Sequence, residues 1–162
     1  MTSVYTIGDY TIHELIANGS FGSVRRGTHN TTGIPVAIKF IPLKDKKSGM
    51  HHIRKEIAIL KMIDHPNIVK YMNHFNCSFL NISSTCLVMP FYSNSTLQSV
   101  MANRNKIISV EQRQIWMVQL LHAITHMHQM GVIHGDLHMM NLFVSDDDNL
   151  VVGDLGNARQ NG

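Results

Sequence analysis

The chain has 162 residues, of which 44% are hydrophobic and 15% charged, and this balance is typical of a folded domain rather than of a disordered segment. Its 14 Lys and Arg residues exceed its 11 Asp and Glu residues by three and form no long run, so we expect no nucleic-acid partner. No apolar run reaches the ~18–20 residues of a membrane span, and the polar start lacks the pattern of a secretory signal, so we expect no membrane contact. Two cysteines, Cys77 and Cys86, are too few for a disulfide framework, which favours a cytoplasmic location.

Strands dominate the prediction for the first ninety residues, which contain several runs of β-branched and aromatic side chains. The predicted strands are 10–16, 23–28, 36–41, 68–72 and 85–89. A glycine-rich turn at 18–22 separates the first two. Apolar residues at Ile53, Ile57 and Leu60 are spaced by four and three, which predicts a helix between the third and fourth strands.

The longest helix is predicted at Val110–Met130. Ser109 and Gln112 form a capping box at its start, and Gly131 is a natural stop at its end. An apolar stripe on this helix indicates a buried face, and it consists of Trp116, Leu120, Ile124 and Met127. Short apolar runs then predict strands at 132–133, 142–144 and 150–152.

Two features of the first half suggest phosphate chemistry. Gly19 and Gly22 lie between two predicted strands, where glycines let backbone amides approach a phosphate closely. Lys39 ends an apolar strand segment, Val36-Ala37-Ile38-Lys39, and a buried lysine needs an anionic partner. Glu56, beside the apolar stripe of the first helix, is placed to supply a carboxylate.

Taken together, the motifs resemble those of the eukaryotic-type protein kinase family. In the first half, Ile16 to Val24 is similar to the glycine-rich loop, Val36-Ala37-Ile38-Lys39 is similar to the strand-three lysine motif, and Glu56 is similar to its helix-C partner. The segment leading into strand four resembles His65-Pro66-Asn67-Ile68-Val69, and the strand entering the hinge resembles Leu87-Val88-Met89. In the second half, His134 to Asn141 is similar to the catalytic loop, and Asp154-Leu155-Gly156 is similar to the metal-binding motif. The order and spacing of these motifs make the resemblance specific.

The resemblance implies an α+β fold with two lobes, a complete β-rich N-lobe and a partial helical C-lobe. Residues 1–9 are then an N-terminal tail and residues 10–162 a partial kinase domain. Within that domain, 10–92 would form the N-lobe and hinge, and 93–162 the start of the C-lobe. The family's catalytic domain continues well beyond the Asp-Leu-Gly motif, whereas this chain ends six residues after Gly156. We therefore expect apolar surface on the Val110–Met130 helix that a hydrophobic partner would cover.

The resemblance also assigns roles, with ATP and Mg²⁺ as cofactors. Lys39, steadied by Glu56, would hold the α- and β-phosphates, and Asn141 and Asp154 would bind magnesium. Asp136 would act on the proton of the substrate hydroxyl. The full set assigned to ATP is Ile16, Ala17, Asn18, Gly19, Ser20, Phe21, Gly22, Val24, Ala37, Lys39, Glu56 and Met89.

Four positions depart from the family pattern. Ala17 replaces the first loop glycine, and Leu155 replaces a phenylalanine with another apolar plug. Gly135 replaces an arginine that pairs with a phosphate on the activation segment in the family, so such control is not expected here. His138 replaces the lysine that contacts the γ-phosphate, and histidine has no permanent charge at neutral pH. Aminoglycoside and choline phosphotransferases have histidine at this place, so we keep His138 as a catalytic residue beside Asp136.

These features favour an ATP-dependent protein kinase that transfers the γ-phosphate to a protein hydroxyl, with serine or threonine preferred over tyrosine. Two alternatives stay open. One is a pseudokinase or scaffold that binds nucleotide or a partner without catalysis, and the other is a small-molecule phosphotransferase. The sequence does not specify the protein substrate.

Overall fold

The computed structural model describes residues 5–19, 22–43 and 48–161, and these residues form two compact units. The first unit runs to Ile57 and resumes at Tyr71–Phe91. The second consists of Ala58–Lys70 and the chain from Tyr92 onward. The expected boundary between residues 92 and 93 stays a prediction, and the contacts add Ala58–Lys70 to the second unit.

The first unit is built on a six-stranded antiparallel sheet in the order β1-β2-β3-β4-β6-β5. Its strands are β1 (Tyr5–Ile7), β2 (Tyr10–Gly19), β3 (Gly22–His29), β4 (Pro35–Pro42), β5 (Asn73–Phe79) and β6 (Ile82–Pro90). Helix α1 (Ser48–Met62) follows β4 in the chain. This sheet is the β-rich N-lobe that the α+β prediction required.

The core of this unit lies on one face of the sheet. Val36, Ile38 and Phe40 alternate along β4 and are almost fully buried, because successive side chains of a strand point to opposite faces. They pack with residues of other strands, including Ile12 of β2 and Val88 of β6. Burial of each such side chain contributes about 1.5–3 kcal/mol. The alternation leaves the even-numbered core residues on one face and Ala37 and Lys39 on the other.

The second unit is led by a long helix. Its elements are α2 (Leu97–Ala102), α3 (Val110–Gln129), β7 (Val132–Ile133), β8 (Leu142–Val144), β9 (Leu150–Val152) and β10 (Arg159–Gln160), with short 3₁₀ turns at Met139–Asn141 and Leu155–Asn157. Strand β8 pairs with β9 and β7 with β10, both antiparallel. The Oγ of Ser109 accepts the Gln112 backbone N–H at 3.1 Å, as the capping box predicts.

Helix α3 is anchored to the β8–β9 hairpin through its apolar stripe. Trp116 and Met127 are buried, and the Trp116 indole Nε1 donates to the Asp148 carbonyl oxygen at 2.7 Å. Leu120 and Ile124 are partly buried. The predicted stripe is therefore the packed face of the helix. Along the described residues, no helix combines the length and the apolar character that a bilayer crossing demands.

Some predicted elements were wrong or absent. The strand predicted at Ile68–Met72 does not form, and Ile68 makes only an isolated bridge to Val152. Ile68 and Val69 are adjacent and both buried, which an alternating strand with one exposed face does not allow. The sequence reading missed α2 and β5, and it treated residues 1–9 as a tail although β1 pairs there with β2.

Candidate active site

One face of the six-stranded sheet carries several residues that the sequence assigns to ATP binding. Val24 is paired with both Ala17 and Lys39, and Ala37 is paired with Met89. Directly paired residues of antiparallel strands project to the same face, and so do residues two apart on one strand. Lys39 and Ala37 are two apart on β4, so all five side chains share the face opposite the core.

Lys39 is paired with Glu56 of α1. The Nζ atom of Lys39 donates to both carboxylate oxygens of Glu56, at 2.9 and 3.0 Å, and both residues are buried. A buried charge is stable only when it is paired and hydrogen-bonded. The predicted partnership is therefore present, and it fixes an ammonium group on this face of the sheet.

The described residues of the glycine-rich segment lie at the paired ends of β2 and β3. Ile16, Asn18 and Gly19 lie on the exposed end of β2, and Gly19 pairs with Gly22. Ser20 and Phe21, which the sequence also assigns to ATP, lie outside the described residues. The described part of the segment thus has the hairpin geometry that the motif predicts.

Gly22 is required by a contact within the sheet itself. Its φ is +145°, and an added Cβ would lie 2.0 Å from the carbonyl oxygen of Phe40. By comparison, a Cβ at Gly19 would make only an ordinary contact of 3.7 Å. The close approach of the β4 backbone therefore explains Gly22 without reference to a phosphate.

In the second unit, His134 holds the start of the catalytic-loop segment. Its Nε2 donates to the Gly153 carbonyl oxygen at 2.8 Å, and its Nδ1 accepts the Asp136 backbone N–H at 3.2 Å. These two contacts require the tautomer that carries hydrogen on Nε2. The buried ring therefore ties the residue before Asp154 to the backbone of Asp136.

The carboxylate of Asp136 is surrounded by side-chain amides and an imidazole. The Nδ2 of Asn141 donates to the Asp136 carbonyl oxygen at 2.8 Å and to its Oδ2 at 3.3 Å. The Nδ2 of Asn157 donates to the same Oδ2 at 3.2 Å. The other oxygen, Oδ1, lies 3.5 Å from Nε2 of His138. The structure thus brings together Asp136, His138 and Asn141 as the sequence predicts.

The two ring nitrogens of His138 have different neighbours. The Met140 backbone N–H donates to Nδ1 at 3.3 Å, which caps the 3₁₀ turn at Met139–Asn141. The Asn141 Nδ2 lies 3.1 Å from Nε2. Because Nδ1 accepts a hydrogen bond, the ring hydrogen lies on Nε2, which is 3.5 Å from Oδ1 of Asp136.

Asn141 and Asp154 leave the same end of the β8–β9 hairpin. Asn141 directly precedes β8 and Asp154 follows β9 by two residues, and the two strands are antiparallel. The Gly153 N–H donates to the Asn141 carbonyl oxygen at 2.8 Å, which holds the two segments side by side. A Cβ on Gly153 would lie 2.3 Å from the Phe143 ring, so this position accepts only glycine without displacement.

The donor set at this end of the hairpin fits magnesium. Because the Asn141 amide nitrogen is used by Asp136, its Oδ1 is the atom left for a ligand. Asp154 sits in the left-handed region, with φ of +50°, and its Oδ1 accepts the Gly156 N–H at 3.3 Å. Amide and carboxylate oxygens are hard ligands of the kind that Mg²⁺ takes. A strained backbone at such a position is also typical of a functional site.

The sequence reading missed two contributors to this site. His134 was read only as part of a motif, and its bridging role depends on contacts with Gly153 and Asp136. Asn157 directly follows the Asp-Leu-Gly motif, and this adjacency was the one signal that could have pointed to it.

Comparison of the sequence with known protein families identifies the family of this chain. A family model of the protein kinase domain matches residues 10–162. The chain belongs to the protein kinase family. The resemblance drawn from the motifs is therefore confirmed, and so is the α+β kinase fold class.

Curated relatives of this kinase domain cover nearly all of it. It is 33% identical over 149 residues to cell division control protein 7 of Schizosaccharomyces pombe, 32% over 154 residues to serine/threonine-protein kinase PLK4 of Xenopus tropicalis, and 31% over 150 residues to NUAK family SNF1-like kinase 1 of Homo sapiens. These alignments take in 91%, 94% and 91% of this chain. They span only 14%, 16% and 22% of the three relatives.

Proposed function

We propose that the protein is an ATP- and Mg²⁺-dependent protein kinase that phosphorylates serine or threonine hydroxyls. The observation that carries the proposal is the environment of Asp136, whose Oδ2 receives two amide donors while Oδ1 lies on the side of His138. A carboxylate oriented in this way is suited to accept a hydroxyl proton. The name of the PLK4 relative supports serine or threonine as the acceptor.

The first unit would supply the nucleotide contacts. We propose that the Lys39 ammonium, held by Glu56, binds the α- and β-phosphates, because a buried positive charge gains most from a bound anion. The small and apolar side chains on the same sheet face, Ala17, Val24, Ala37 and Met89, would contact the base and ribose of ATP. Ile16 and the glycine-rich segment would complete this set.

In the second unit, Asn141 and Asp154 would hold magnesium. Bound there, the metal would neutralise charge on the phosphate oxygens. The chain's own contribution is to present the Asn141 amide oxygen and the Asp154 carboxylate from one end of the β8–β9 hairpin. The contact between Gly153 and Asn141 keeps those two segments at a fixed separation.

The transfer itself would balance as follows. The substrate hydroxyl oxygen forms a bond to the γ-phosphorus, and the bond from that phosphorus to the β,γ-bridging oxygen breaks, so that ADP leaves. The hydroxyl proton passes to Oδ1 of Asp136. His138, whose Nδ1 accepts the Met140 N–H, would donate a hydrogen bond from Nε2 to the γ-phosphoryl group.

The exposed face of α3 supports a proposal about partners. Ile115, Met117, Val118 and Leu121 are each about half exposed, at 49%, 58%, 50% and 55%. We propose that these side chains bind an apolar protein surface, as four clustered apolar groups on one helix favour contact over exposure to water. Replacing Val118 and Leu121 together by serine is expected to lower the binding of a hydrophobic dye. Unchanged dye binding would show that this face does not attract apolar groups.

One set of assays tests the proposed reaction. Phosphate transfer from γ-labelled ATP is measured with Mg²⁺ on peptide pools that contain serine, threonine or tyrosine, and on kanamycin and choline. ATP binding is measured by calorimetry on the same samples. We expect Asp136→Asn to abolish transfer and to leave ATP affinity near normal. The matched control is Asp147→Asn, at an exposed aspartate in the turn before β9.

Each other outcome separates the alternatives. Transfer that survives Asp136→Asn would remove Asp136 as the base. ATP binding without transfer by the wild type would favour the scaffold, and transfer only to kanamycin or choline would favour the small-molecule enzyme. Absence of ATP binding by the folded protein would overturn the nucleotide assignment as well.

A further inference from the structure

Asn157 contacts the Asp136 carboxylate from an element that is remote in sequence. Its Nδ2 donates to Oδ2 of Asp136 at 3.2 Å, across 21 residues of chain. Asn141 donates to the same oxygen at 3.3 Å. Two amides therefore converge on Oδ2, whereas Oδ1 faces the imidazole of His138. The two oxygens of the carboxylate therefore differ: Oδ2 is held by the two amides, and Oδ1 is the oxygen that a reacting group can approach.

Gly135 makes this contact sterically possible. Its φ is +79°, and an added Cβ would lie 2.7 Å from the carbonyl oxygen of Asn157. Any side chain at residue 135 would therefore push the Asn157 backbone away from Asp136. The contact between the Asn157 amide and Asp136 therefore depends on the absence of a side chain at Gly135.

The backbone of Asn157 is fixed by its neighbours and not by its own side chain. Leu155 and Ala158 are buried on either side, and the Ala158 N–H donates to the Leu155 carbonyl oxygen at 3.0 Å. Strand β10 follows directly and pairs with β7, with Arg159 opposite Ile133. The Asn157 side chain itself is exposed. Packing therefore does not need the amide, and its visible contact is with Asp136.

We infer that Asn157 is a positioning residue that holds Oδ2 of Asp136 so that Oδ1 faces the substrate hydroxyl. The inference rests on the proposed function, in which Asp136 accepts the hydroxyl proton. A hydrogen bond to a carboxylate is stronger than one between neutral groups, so a single amide suffices to favour one orientation. Its loss would leave Asn141 as the side-chain amide on that oxygen.

Kinetics distinguish positioning from a structural role. We expect Asn157→Ala to lower kcat by roughly tenfold and to leave KM for ATP unchanged, because the side chain acts on the carboxylate and not on the nucleotide. Asn157→Asp should lower kcat further, since it places a second carboxylate against Asp136. Asn157→Gln should recover part of the rate, because it keeps an amide donor. Asn161→Ala, at an exposed asparagine whose backbone makes the contact to Gly131, is the control that should behave as wild type.

A second measurement does not depend on activity. The side-chain amide signals of Asn157 are followed by ¹⁵N NMR in the wild type and in Asp136→Ala, with those of Asn161 as a reference. We expect the Asn157 signals to move and the Asn161 signals to stay. Unmoved Asn157 signals, or equal kcat in wild type and Asn157→Ala, would overturn the inference. Moved signals in a protein that transfers no phosphate would support the Asn157 contact and would count against the proposed function alone.

Discussion

Lys39 and Glu56 form an ion pair in which one ammonium group meets both carboxylate oxygens, at 2.9 and 3.0 Å. The two side chains are only 10% and 4% exposed. Each charge has therefore lost most of its water, and the contact between them compensates part of that loss. This coupling makes the pair more sensitive to the loss of one member than to the loss of both.

The first prediction concerns the stability of that pair. Lys39→Met and Glu56→Leu should each lower the free energy of unfolding by about 3–5 kcal/mol, because each removes one member of a buried, hydrogen-bonded ion pair. The double variant should be far less destabilised than the sum of the two, since it buries apolar groups of similar size. Urea denaturation of the four proteins measures the coupling. Additive losses would show that the two side chains do not compensate each other.

The second prediction concerns nucleotide affinity. Lys39→Met should weaken ATP binding strongly in calorimetric titrations with Mg²⁺, because it removes a buried cation from the sheet face. Lys70→Met is the control, as the Lys70 side chain is 64% exposed and lies outside the sheet. Equal ATP affinities of the two variants would show that Lys39 does not bind the phosphates of ATP.

The third prediction concerns His138. His138→Lys should raise the rate of phosphate transfer, because lysine brings a permanent positive charge to the place where the imidazole would supply one hydrogen bond. The same substitution at the exposed His128 of α3 should leave the rate unchanged. A lower rate in His138→Lys would show that the site requires the imidazole, whose Nδ1 accepts the Met140 N–H.

The sequence was sufficient for the sheet face that carries Lys39. Strand alternation fixes which residues of β4 share a face, so the separation of Val36 and Ile38 from Ala37 and Lys39 follows from the pattern alone. The helix α3 was also predictable, because its cap at Ser109 and its apolar stripe agree with each other. Local patterns predict elements where several local signals coincide.

Elements with weaker local signals were missed. In β5, Phe75, Cys77 and Phe79 alternate with polar residues, but the adjacent pair Ile68 and Val69 gave a stronger apolar run and the wrong strand. Contacts between residues that are distant in sequence could not be predicted from local patterns. The approach of the Phe40 backbone to Gly22 depends on how distant segments meet, which no spacing in the sequence encodes.

The fourth prediction concerns Gly135. Gly135→Ala and Gly131→Ala both place a side chain at positive φ, of +79° and +69°, which costs about 1–2 kcal/mol. An added Cβ at residue 135 also overlaps the Asn157 carbonyl oxygen at 2.7 Å, whereas at residue 131 the nearest atom is 3.9 Å away. Gly135→Ala should therefore be less stable than Gly131→Ala by about 1–3 kcal/mol. Equal free energies of unfolding would show that the backbone at Asn157 moves to accommodate the added Cβ without loss of stability.

The last prediction concerns the pH dependence of stability, which His65 should impose. Burial lowers the pKa of His65 below its ordinary value of 6.5, and the charges of His126 and His122 lower it further, against an opposing effect of Asp64. The His65 ring lies 5.1 Å from that of His126, and its Nδ1 accepts the Asn67 N–H at 3.0 Å. A proton on Nδ1 would abolish that hydrogen bond, so the folded state favours the neutral ring.

The sign follows from which state binds the proton. Below about pH 6.5 the unfolded chain protonates His65 while the folded chain does not, so the free energy of unfolding falls as the pH drops through 6.5 and stops falling below the lowered pKa. His65→Asn should flatten this fall, because asparagine accepts the Asn67 N–H without titrating. His128→Asn, the same change at an exposed site, should leave the fall in place. Urea denaturation at intervals from about pH 8 to about pH 5 compares the three proteins, and an unchanged slope in His65→Asn would assign the pH dependence to other groups.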